Sequence, residues 1–326
     1  MKKEWKVFFG GIVVSVFFVF LIAGLGSRLD SIVLLPDQGA SWYYWKLPNK
    51  EFLPRLVVWT LYIIHQVTVW WLIFSAHRKD PSKRVHYRKI LIIVNIIFVG
   101  LHILQTHLYY DGLAQDVPVF SSQGSVIVML VLVLIMENQR RGLFFGKKIN
   151  KLPLVGNIKK PTNFIREYHG YFISWAIVYT FWYHPTVNTS GHLVGFFYLF
   201  LLFIQMSMIY TPIHYNKKWT FVLEVLVLFH GTMVAVGQQN NMWPMFMFGF
   251  ASMLVITQIY GLNLSKNKIR IVQLIYIVGV IVVFGGFTGN RTISQIHQVL
   301  WIPIIEYLLV FVFLFAIGGL LKIKKS

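Results

Sequence analysis

Cysteine is absent from this 326-residue chain. Structural disulfides, thiolate metal sites, iron–sulfur clusters and a cysteine nucleophile are thereby excluded. Any metal must be held by nitrogen or oxygen ligands. Acidic residues are scarce as well, with 11 Asp and Glu against 30 Lys and Arg, a formal net charge of +19. The sequence contains no Walker loop, Rossmann fingerprint, His-Glu-x-x-His zincin motif or Gly-x-Ser-x-Gly nucleophile elbow. It also has no stretch polar and long enough for a soluble flavin or nicotinamide domain, so an electron donor or energy source is expected from the membrane, from solutes or from another subunit.

Apolar residues are what the chain has in excess. Hydrophobic residues make up 56%, aromatics 17%, and the mean hydropathy is +0.63, well outside the range of soluble domains. A bilayer core needs about 20 apolar residues per helix. Runs of that kind fall near 7–26, 55–76, 89–109, 120–137, 167–184, 193–212, 219–237, 244–262, 270–288 and 299–321. The expected fold is an all-α integral membrane protein, a single polytopic bundle of about ten helices with no soluble domain. The first run lacks an Ala-x-Ala cleavage site and reads as a retained anchor.

The basic residues report topology. They lie between the apolar runs, which argues against nucleic acid as a partner, and 25 of the 30 fall at the termini and in alternate connections that share one side. Arg28, Lys46, Lys50, Arg55 and Arg291 fall on the other. Cytoplasmic loops retain positive charge, so both termini are expected in the cytoplasm, and the short loops with this strong bias point to a bacterial plasma membrane. The basic connection from Asn138 to Arg166 suits anionic lipid headgroups. Trp42, Tyr43, Tyr44 and Trp45 suit a membrane-interface belt.

Four ionisable residues fall inside the apolar runs in what reads as one layer of the outer half. At 1.5 Å per residue, His65 lies about 15 Å, His102 and His230 about 12 Å, and Glu306 about 10 Å below the outer boundary. His107, Asp111, His184, His192 and the run Gln238, Gln239, Asn240, Asn241 form a polar rim above them. Groups this deep usually face the protein interior and pair with something. Three arrangements satisfy that requirement. Each histidine can simply be hydrogen-bonded to a neighbouring helix; two of His65, His102, His184 and His230 can bind haem iron axially; or His65, His102 and His230 with Glu306 can hold one zinc, copper or iron ion. Glu137 and Glu224, near cytoplasmic helix ends, are expected to pair with basic residues or to lie on a proton path.

Tyr168-His169-Gly170, His184 near the other end of the same span, the turn His214-Tyr-Asn-Lys-Lys, and Phe221-Val-Leu-Glu224 through Phe229-His230 together resemble the ferric reductase-like transmembrane family. The resemblance covers about residues 166–238. It implies two b-type haems held by histidines from two helices, with His184 and His230 at an outer haem and His169 and His214 at an inner one. A separation of 15 between His169 and His184 leaves about 60° on a helix, whereas 16 between His214 and His230 leaves about 160°, and Pro212 points to a loop at His214.

Three functions follow as expectations. The first is a membrane redox protein with a histidine-ligated haem or metal in the outer half, exchanging electrons with quinol or an external acceptor. The second is a secondary transporter or permease whose buried His and Glu bind solute or protons. The third is a membrane-embedded, metal-dependent hydrolase or acyl transferase acting on lipid.

Overall fold

A computed structural model describes residues 2–39, 43, 45–153, 155–239, 241–289 and 291–323. Trp42 and Tyr44 of the aromatic segment, Asn240 of the polar rim, and Lys324 and Lys325 lie outside the described residues. Each expected span is an α-helix: α1 Lys2–Leu25, α2 Phe52–His77, α3 Pro81–Tyr109, α4 Val119–Arg141, α5 Lys159–Tyr183, α6 Ser190–Ser207, α7 Lys217–Gly237, α8 Trp243–Ile256, α9 Lys266–Phe284 and α10 Trp301–Ile323. A two-residue antiparallel ladder between α4 and α5, β1 Lys151–Leu152 with β2 Gly156–Asn157, is the only sheet among the described residues.

Eight of these helical segments are long and apolar enough to cross a membrane. The other two expected spans fall short for different reasons. α5 opens on Lys159, Lys160, Arg166 and Glu167, and α8 runs only 14 residues. The expected span 244–262 is broken at Thr257, whose backbone leaves helical geometry (φ −128°, ψ −57°). There the hydroxyl donates to Leu143 O at 3.0 Å, and the last α8 carbonyl, Ile256 O, accepts from the Phe145 N–H at 2.8 Å. Loop 142–147 thus satisfies one of the carbonyl groups that a helix end leaves without partners. At the other extreme, α10 continues directly from a 3₁₀ segment beginning at Ile293, which a Thr292/Gln295 capping box opens.

The chain divides into two compact units, residues 1–129 with 170–215 and residues 130–169 with 216–326. In the first, α1 packs on α6, α6 on α3 and α3 on α2. α6 is apolar on every side and accordingly central, burying Phe196, Phe200 and Phe203 among others. In the second, α8 contacts α7, α9 and α10, and Phe248 meets Val280, Val283, Phe284 and Val299 in a shared core. Outward faces are apolar: Phe20 is 72% exposed, Ile275 66% and Leu308 61%. Long apolar helices with apolar outer faces are what a membrane-embedded protein presents to lipid.

Candidate functional site

His65 and His102 are both completely buried in the first unit. The Trp182 indole N–H can only donate, and it points at His65 Nδ1 from 3.1 Å. That fixes the tautomer: Nε2 carries the proton and donates to Asn95 Oδ1 at 3.1 Å, and Asn95 Nδ2 donates in turn to Ser207 Oγ at 2.9 Å. The ring stacks on Phe98 with centroids 4.3 Å apart. Both nitrogens of His65 are therefore committed to neighbouring helices, and in this arrangement neither is left to bind iron or another metal. His102 ties α3 to the end of α5. Its Nε2 donates to His184 O at 2.8 Å, and Nδ1 lies 3.2 Å from Gln105 Oε1.

At the end of this unit that carries His184, Tyr43, His184 and His192 form an aromatic group. Tyr43 and His184 have centroids 5.4 Å apart, and His184 and His192 5.1 Å. Nearby, Asp116 receives Arg55 through both carboxylate oxygens (2.6 and 3.1 Å) and the Trp59 indole N–H at 2.8 Å. Asp111 is buried with Oδ1 accepting from the Gly112 N–H at 2.7 Å, while Oδ2 meets no donor among the described residues. Only glycine fits after it, because a Cβ at Gly112 would stand 2.7 Å from Tyr183 O. Burial pushes the Asp111 carboxyl up to about 7, with the Asp116 charge adding to the rise and Gly112, Arg55 and Lys50 opposing it.

Of the haem candidates suggested by the family resemblance, His184 and His214 belong to the first unit and His169 and His230 to the second. His214 is in the turn after α6, as Pro212 implies, with its Nδ1 donating to Gln205 O at 2.9 Å. The His169 ring donates from Nδ1 to Arg166 O at 2.6 Å. Among the described residues, no group of three or more His, Asp or Glu side chains is placed to hold a metal ion.

The second unit contains a constellation that the sequence did not single out. Arg141, the last residue of α4, is 3% exposed, and its guanidinium NH1 donates to Glu224 Oε2 of α7 at 2.5 Å. Its Nε–H is buried without an acceptor among the described residues. Across a cavity of about 20 Å³ from this pair lies Glu306 of α10, 5% exposed, with no hydrogen-bond or ion-pair partner among the described residues. Gln258 supplies the remaining polar lining, and Leu130, Val133, Leu134, Val227, Phe250 and Met253 close the walls. That volume has room for about one water molecule.

Glu306 lies further along its helical segment than a count from residue 299 gives. Its helix begins at Ile293 rather than near 299, which puts Glu306 about 24 Å along it. It shares the level of Glu224, whereas His230 lies about 9 Å further along α7. The expected pairing of inner carboxylates with basic residues holds for both: Glu137 bonds Arg140, and Glu224 bonds Arg141. What the sequence could not show is that Arg141, one of eight basic residues in 140–166, is the one that is buried.

No family model matches the chain, and no curated protein or solved structure is found to be similar to it.

Proposed function

We propose that this protein is a multi-pass secondary transporter of a bacterial plasma membrane, with both termini cytoplasmic, whose ion or solute site is the Arg141–Glu224–Glu306 cluster. One observation carries the reading: an arginine, two carboxylates and an amide converge from three helices and a polar turn on a small cavity with apolar walls. Charges inside apolar surroundings cost several kcal/mol each unless they are paired, and replacing such a pair by apolar side chains is often neutral or stabilising. A buried pair accompanied by an unpaired carboxyl therefore fits a working site better than a structural one. The redox alternative draws on histidines with a free ring nitrogen, and His65 offers none.

The test combines optical spectra and elemental analysis of the purified protein with uptake by proteoliposomes offered amino acids, sugars and organic anions in turn. Expected are a spectrum without a haem Soret band, saturable uptake of one solute class, and at least a tenfold loss of that uptake in Glu224→Gln. A stoichiometric haem with no uptake of any solute returns the protein to the redox class.

A further inference from the structure

Resting on the transporter reading, we infer that the coupling ion is the proton, that Glu306 carries it, and that Arg141 turns from Glu224 toward Glu306 when the proton leaves. The cluster holds one guanidinium for two carboxyl groups. Like charges sharing one site with a single cation do not both stay ionised in apolar surroundings. Of the two, Glu224 has the arginine, at 2.5 Å. Glu306 is buried as well but receives no N–H or O–H from any described residue, the situation of a protonated acid rather than a carboxylate, which accepts up to about four hydrogen bonds.

Neighbouring groups leave the role to Glu306. On α4, Glu137 is bonded to Arg140, and Arg140 also donates to Gly261 O at 3.1 Å. On α10, the hydroxyl of Tyr307 is engaged with Leu143 O at 2.7 Å and with Thr257 Oγ1 at 2.6 Å. On α7 the only ionisable lining residue is Glu224, and the turn after α8 contributes the neutral Gln258. A calcium or magnesium ion would need six or so oxygen ligands, and the cavity has two carboxyl groups and one amide in a volume that holds about one water.

The step balances as a proton transfer. The Glu306 O–H bond breaks and an O–H bond forms on a water in the cavity. The new carboxylate then attracts the unengaged Nε–H of Arg141. Glu224, deprived of part of its ion pair, becomes the base that takes the proton from the water.

The proton itself is the probe. Infrared pH-difference spectra of the full-length protein in phosphatidylcholine liposomes should show the C=O stretch of a protonated carboxylic acid that bleaches as pH rises. Recorded in an Asp111→Asn background, because the Asp111 carboxyl also loses its proton near 7, the band should vanish in Glu306→Gln and persist in Glu137→Gln. Should Glu306→Gln not fold, Glu306→Asp must shift the band. A band unchanged in either Glu306 variant overturns the assignment. In parallel, proteoliposomes loaded with a pH-sensitive dye report proton movement during solute uptake, and Glu306→Gln should cut it at least tenfold. Solute uptake without proton movement in the wild type overturns the proton as coupling ion and leaves the transporter reading standing. A wild type with the Glu306 band but no uptake of any solute removes the transporter reading instead.

Discussion

Asp111 shows how one side chain can be read through its surroundings. Its carboxyl is held near 7 because burial disfavours the charge and only one donor, the Gly112 N–H, answers it. The folded value lies above the ordinary 3.8, so the folded state binds the proton more tightly than the unfolded chain. The associated stability is fully present below about pH 4 and is lost as pH rises through about 7. Asp111→Asn removes the ionisation while keeping an oxygen for Gly112. The variant should therefore gain on the wild type between about pH 5 and pH 8, by at most about 3 kcal/mol. Melting followed by tryptophan fluorescence is the measurement, since the chain has 11 tryptophans and no thiol for a dye. A stability difference between variant and wild type that is the same at both pH values would sink the assignment. The buried histidines teach a related lesson. That His65 and His102 are interior was legible from their place in apolar runs. That Asn95 and Trp182 would hold both nitrogens of His65 was not, because a linear count gives depth along a helix but not which neighbour its face meets.

At the scale of elements, all ten helices were legible as apolar runs, and two ends were not. The end of α8 at Ile256 depends on Thr257 meeting Leu143, and Ile256 meeting Phe145, across more than a hundred residues of sequence. The early start at Ile293 depends on a local capping box whose Thr-x-x-Gln signature precedes a run broken by His297. The packing of α8 also constrains composition. A Cβ at Gly249 would come within 2.7 Å of Ile302 Cδ1 and 3.0 Å of its Cβ, so α8 approaches the N-terminal turn of α10 only because position 249 is bare. Gly249→Ala should cost about 1–3 kcal/mol, the usual range for overpacking. It should also lower solute uptake, since Phe250 and Met253 of the same helix wall the cavity. Gly319→Ala, with nothing within 4 Å of the added carbon, should be neutral or gain up to about 1 kcal/mol from helix propensity. Equal melting temperatures for the two variants would show that the contact is not limiting.

For the whole molecule, charge placement and the cluster in the second unit make a joint statement about sides. Arg141 ends α4, and Glu224 is in the first half of α7, so the cluster belongs with the helix ends to which the positive-inside count assigns the cytoplasm. The proton site would then open first toward the cytoplasm, with about two-thirds of the length of α7 lying between Glu224 and the other face. The absence of native cysteine makes this directly testable, because any thiol in the protein is one that was put there. Asp37→Cys, in the long segment before α2, should react with a membrane-impermeant maleimide in intact cells. Lys148→Cys, in the connection between α4 and α5, should react only after permeabilisation, and a cysteine in place of Lys3 should follow it. Ten crossings put both ends of the chain on one side, whereas α8, at 14 residues, is about 21 Å long and shorter than a bilayer core of about 30 Å. If α8 and the turn after it did not complete a crossing, α9 and α10 would be inverted. Lys322→Cys would then label in intact cells while Lys148→Cys stayed protected. Protection of Lys322→Cys together with Lys148→Cys is the expected result, and with α5 crossing it would mean that residues 257–265 carry the chain the remaining distance.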